Sequence, residues 1–109
     1  MSGSGSGGFG SGGVAGAGGT DCGRLSYETH ISSPNPSEVV KLAPGNILSI
    51  ELRQSRGIDV VQVLNGGNVV GGVVDQAQRI KLCLQSGFSY SAEVLSISGA
   101  AVKILISPA

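Results

Sequence analysis

Apolar and polar residues alternate through most of the chain beyond residue 24. The alternation is densest between Asn46 and Val74. Leu48, Ile50 and Leu52 alternate there with Ser49, Glu51 and Arg53, and a period of two marks a half-buried strand. After a short break at Gln54–Gly57, Asp59, Val61 and Val63 alternate with Val60, Gln62 and Leu64, a run that is apolar on both faces. Asn65-Gly66-Gly67 then predicts a hairpin turn, because Asn and Gly accept positive φ. Asn68 to Val74 returns as a third strand. This stretch therefore predicts an antiparallel meander on which the flanks must pack.

The flanks carry three further strands and one helix. In residues 24–32, Leu25, Tyr27, Thr29 and Ile31 share one face, and Ser33-Pro34-Asn35-Pro36 ends the strand because each Pro removes a donor. Ser37 is the expected cap of a helical turn through Leu42, with Val39, Val40 and Leu42 facing the core. Asp75 reads as an N-cap completed by Gln78 in a capping-box-like pair. Ala77, Ile80, Cys83 and Leu84 fall on one helical face, and Gly87 suits the residue just past the end. Residues 88–98 form a strand on Phe88, Tyr90, Ala92 and Val94. Its apolar face then switches to Leu95 and Ile97, which predicts a bulge near Val94. The last strand carries Val102, Ile104 and Ile106 and stops at Pro108.

The fold class that follows is mainly β (α+β). It is a six-stranded antiparallel, strongly curved sheet or small barrel, with one capping helix and a short helical turn. An open sheet with the helix on one face is the alternative. Gly71-Gly72 reads as a bulge or sharp bend at a corner of such a sheet. Residues 20–109 make up this small β-barrel-like domain. Residues 1–19 are nearly all Gly and Ser and are expected to be a disordered tail, since Gly loses most entropy on ordering and buries nothing.

Composition narrows the function by exclusion. Seven Lys and Arg balance seven Asp and Glu, so the chain has no long-range field to gather polyanions. Arg53 and Arg56 lie close together at the first hairpin and are the candidate contacts for single-stranded nucleic acid; ordinary solubilising charges are the bland alternative. Base stacking would need rings beside them, and the spacing of Tyr27, Phe88 and Tyr90 places those in the core. No secretory leader pattern and no apolar run of about 18 residues is present. The two cysteines, Cys22 and Cys83, accordingly read as free thiols of a cytoplasmic, reducing setting, with a disulfide between them as the alternative. One histidine, His30, and two separated cysteines do not make a metal site. No phosphate loop or cofactor motif stands out; a Cys22–His30 dyad is conceivable, and Asp59 and Asp75 flank the meander without the polar surroundings that a carboxylate pair needs. No catalytic residue, metal or cofactor is therefore expected.

The segment from Leu42 to Val94 resembles the HIRAN family. The likeness lies in Leu42-Ala43-Pro44-Gly45-Asn46-Ile47-Leu48-Ser49-Ile50, in Asp59-Val60-Val61-Gln62-Val63, and in Gly67-Asn68-Val69-Val70-Gly71 followed by a helix ending at Gly87. That resemblance implies an OB-like β-barrel that binds single-stranded DNA ends as a module of larger enzymes. It carries no binding residue over to this chain. The expected function is a non-catalytic binding or adaptor module, with a protein or single-stranded nucleic acid as partner and no membrane. A structural or self-assembly role, through a sheet edge or the Gly-rich tail, is the alternative.

Overall fold

The computed structural model describes residues 19–109; the tail expected at residues 1–19 lies almost wholly outside them. Nine elements follow in order. They are α1 (Gly19–Arg24), β1 (Tyr27–His30), α2 (Pro36–Val39), β2 (Ile47–Ser55), β3 (Ile58–Asn65), β4 (Asn68–Gly72), α3 (Ala77–Gln85), β5 (Tyr90–Ser98) and β6 (Ala101–Pro108). The six strands form one antiparallel sheet in the order β1-β6-β5-β2-β3-β4.

Turn chemistry sets the meander. The break after Gln54 is a two-residue hairpin loop, with Arg56 at φ 54° and Gly57 at φ 78°. Gly66 and Gly67 at φ 59° and 90° make the second. Both loops have the two positive-φ residues whose twist suits a tight hairpin. β2 and β3 pair from Ser49↔Leu64 to Ser55↔Ile58. β5 reaches β2 only at Ile47–Ser49, so the hairpin extends beyond the rest of the sheet. The bulge expected near Val94 is present, as a register shift against β6 between Val94 and Ser96.

The sheet is not closed into a barrel, but its two edges meet. Ser32, just past β1, exchanges two backbone hydrogen bonds with Gly72 on β4, at 2.8 and 2.9 Å. The Asn35 amide donates to the Val70 carbonyl at 2.7 Å. Six strands whose outer members touch must be strongly curved, and the inner face is then a continuous aliphatic core. Val63, Val102, Ile104, Ile106 and Ile80 are wholly buried in it, with Val61, Val70, Tyr90, Ala92 and Val94 close around them. The alternating faces of β1, β5 and β6 lie as their sequence pattern expects.

The helices cover this core. α3 lies against β3 and β2 and inserts Ile80 and Cys83. It ends as expected: the Gly87 amide bonds to the Leu84 carbonyl and the Phe88 amide to the Cys83 carbonyl, both at 3.1 Å. That is the paired closure made possible by Gly87 at φ 98°. Its start differs. The cap is Gln76 at φ 55°, with no side-chain hydrogen bond, so Asp75 and Gln78 form no capping box. α2 is capped by Asn35 rather than Ser37, with Pro36 at the first helical position. That shift turns Val40 outward, 81% exposed.

The reading of two free thiols is overturned. Cys22 and Cys83 form a disulfide with Cα atoms 5.5 Å apart. It joins α1, an element that the Gly-containing sequence Gly-Thr-Asp-Cys-Gly-Arg did not suggest, to α3. The Tyr90 hydroxyl adds a hydrogen bond to the Cys22 carbonyl, and Asp21 pairs with Arg79 at 3.8 Å. No helix among the described residues is long and apolar enough to cross a membrane.

Three stability outcomes follow. A Cβ on Gly71 would meet Ile31 Cγ2 and come within 2.7 Å of the Ser32 carbonyl oxygen. Gly71→Ala should therefore lose about 1–3 kcal/mol, a typical overpacking penalty, in urea denaturation. Gly66→Ala meets no such atom and should lose only about 1 kcal/mol for its positive φ. The disulfide closes 61 residues, and reducing it should lower stability by about 4 kcal/mol on the chain-entropy model.

Candidate functional site

The protruding hairpin positions the candidate site. On the outer face of β2, Arg53 follows Glu51 at the next outward position, and its guanidinium bonds that carboxylate at 3.2–3.3 Å. Arg53 stands opposite Val60 on β3. Arg56 occupies the hairpin tip. The structure thus brings the two predicted contact residues to one end of one arm, both exposed, but leaves only Arg56 without a carboxylate partner among the described residues.

Among the described residues no aromatic ring joins them. Tyr90 is buried and Phe88 packs against the core. Tyr27 is half-buried and its hydroxyl donates to the Asp75 carbonyl at 2.7 Å, a second link between β1 and the chain leaving β4. Burial, with the Asp75 charge adding to it, pushes the Tyr27 phenol up to about 12. Burial also raises the Tyr90 phenol. His30 is exposed beside Lys103 on the neighbouring strand. The Cys22–His30 dyad has no thiol to activate, because the Cys22 sulfur is bonded to Cys83.

What the arm does form is a pair of apolar depressions. The first, about 490 Å³, is lined by Ser32, Ser33, Ser55, Val60, Gln62 and Val69 above the backbone of Gly71–Val74. The second, about 320 Å³, lies between the start of β3 and the start of α3, against Ile58, Asp59, Ala77, Gln78 and Lys81. They share Val60, Val61, Val73 and Val74. Ile58 and Val74 are 64% and 72% exposed there. The residue pattern carries no signal for this site, because its side chains are ordinary strand valines; only the edge geometry makes them a groove.

Backbone strain collects around the same groove. Among the described residues three non-Gly residues have positive φ: Ser33 at 48°, Arg56 at 54° and Gln76 at 55°. Ser33 lines the first depression, Arg56 adjoins Ser55, and Gln76 precedes Ala77 in the second. Left-handed backbone costs a non-Gly residue about 1–2 kcal/mol, and at Arg56 the two-residue hairpin loop requires it. Compared with known proteins, the chain matches no family model, no curated protein and no solved structure.

The start of α3 yields two expected outcomes. Asp75→Ala should change stability by less than about 0.5 kcal/mol, because its side chain caps nothing. Tyr27→Phe should lose about 1 kcal/mol with the hydrogen bond. The folded Tyr27 phenol holds its proton to higher pH than the unfolded one, so its contribution is whole below pH 10 and lost as pH rises from 10.0 towards about 12. Urea denaturation between pH 9 and 12 should therefore show a fall in stability that is shallower in Tyr27→Phe.

Proposed function

We propose that this domain is a non-catalytic binding module whose partner is a protein. The observation that carries the reading is the groove along the β3 side of the hairpin arm, where Ile58, Val69 and Val74 stand exposed around two joined apolar depressions. Contiguous exposed aliphatic surface rimmed by polar groups suits a protein ligand. The single-stranded DNA partner that the HIRAN resemblance implies needs rings beside cations. Tyr27, Phe88 and Tyr90 belong to the core side, and Arg53 already holds Glu51. Those features favour the protein partner over the nucleic acid.

The cytoplasmic expectation rested on two free thiols. With Cys22 and Cys83 joined, an oxidising environment is the better proposal, since such bonds persist there and are reduced in the cytosol.

Titration of 15N-labelled protein at low salt separates the partners. A mixture of random dodecapeptides should shift the amides of Ile58, Val60, Val69 and Val74, and Val74→Glu should abolish those shifts without altering the fold. Shifts produced only by single-stranded DNA, centred on Arg53 and Arg56, would overturn the protein reading.

A further inference from the structure

The disulfide joins two elements of unequal standing. α3 is fixed by Ile80 in the core and by the amide bonds of Gly87 and Phe88 at its end. α1 has no comparable hold. Among the described residues no backbone hydrogen bond ties residues 19–26 to a strand or to another helix; sheet pairing begins only with Tyr27. Six residues do not persist as an isolated helix. What keeps α1 in place is the Cys22–Cys83 bond, the Tyr90 hydroxyl on the Cys22 carbonyl, and Asp21 against Arg79. The last is an exposed pair and contributes little. Leu25, buried just after α1, anchors the chain where it enters β1.

α1 is also a cover. It lies against β6 and α3, and Gly23 faces the Phe88 ring, whose Cε2 is 3.9 Å from where a Cβ would stand. Cys83 and Tyr90, which bond to Cys22, are both buried. Because no strand ladder includes α1, it can lift about the Arg24–Leu25 junction with every ladder intact. That movement uncovers Cys83 and Tyr90 beside Phe88. A disulfide between two laddered strands would only staple them; here one end sits on a segment with little else to hold it, so the state of the bond decides whether the segment is docked.

We propose that Cys22–Cys83 is a redox lock on this cover: α1 is docked in the disulfide form and detached in the dithiol form, while the sheet and α3 stay folded in both. The reductant is a dithiol. One of its thiolates attacks a cysteine sulfur, the Cys22–Cys83 bond breaks, and a mixed disulfide forms. The second thiolate then displaces the protein sulfur. The reductant leaves as a cyclic disulfide, and two electrons and two protons pass to Cys22 and Cys83. Both cysteines are buried, so attack waits on fraying of the first turn of α1, and the lock answers to sustained reducing conditions. It needs neither the groove nor the groove's partner.

Amide exchange of the 15N-labelled full chain, in its disulfide form and after complete reduction by dithiothreitol, tests this. The Gly23 and Arg24 amides bond within α1 and should exchange about tenfold faster or more once the bond is open. Cys83 should then react with iodoacetamide in native buffer. The β5 and β6 amides should keep their native shifts and stay slower than those of α1. The double variant Cys22→Ser with Cys83→Ser, with no reductant present, should match the reduced protein. Undiminished protection of Gly23 and Arg24 in either the reduced protein or the variant would make the bond a staple on a helix that docks without it, and would overturn the lock. Loss of the dispersed β5 and β6 signals in either would make it a support of the whole fold, and would overturn the lock equally.

Discussion

The contact on which the rest depends is the crossing of the sheet's two edges at Gly71 and Gly72. Ser32 and Gly72 exchange both of their backbone hydrogen bonds, and Gly71 has no room for a side chain against Ile31 and the Ser32 carbonyl. A twisted six-stranded sheet left open would expose two strand edges and one side of its core. The crossing ties the two edges through Ser32 on Gly72 and Asn35 on Val70, and the inner face closes around Ile80, Ile104 and Ile106. The Tyr27 hydroxyl on the Asp75 carbonyl repeats the link farther along the gap. Because the crossing takes the chain away from β3 at Val73, the start of β3 is left uncovered. Fold closure and the candidate groove thus have one physical origin.

The disulfide holds the other side of the molecule. α1 is six residues long and contains glycine, too short to persist as an isolated helix. It is held by Cys22–Cys83, by the Tyr90 hydroxyl on the Cys22 carbonyl and by Leu25 in the core. The same bond fixes α3, whose N-terminal half forms one wall of the groove through Ala77, Gln78 and Lys81. Stability of the helical cover and the shape of the site are therefore coupled through Cys83.

Period-two alternation made the strands legible, since one face of each is buried and a slip by one residue would expose it. The faces of β1, β2 and β6, the Gly66-Gly67 turn, the bulge at Val94 and the Gly87 closure all follow from local chemistry visible in the residues. Three features were not legible. The start of α3 follows tertiary placement: Gln76 takes a left-handed conformation that Asp75-x-x-Gln78 would not suggest. Cys22 and Cys83 are brought together across 61 residues by the roll of the sheet, which no spacing rule encodes. The groove arises from where β4 stops rather than from any residue type. Arg53 and Arg56 fall on one arm as expected, but the Glu51 partner of Arg53 and the absence of rings among the described residues change what that arm offers.

Amide hydrogen exchange on the unliganded protein, read residue by residue, tests the central claim that one crossing closes the sheet and leaves the start of β3 open. The Ser32, Gly72 and Val73 amides should exchange as slowly as core amides of β5 and β6, because each donates to a carbonyl across the crossing or along its margin. The Asp59 amide should exchange orders of magnitude faster. Fast exchange at Ser32 and Gly72 would mean that the edges do not meet, and protection of Asp59 equal to that of Val73 would mean that the edge is already covered; either result contradicts the account.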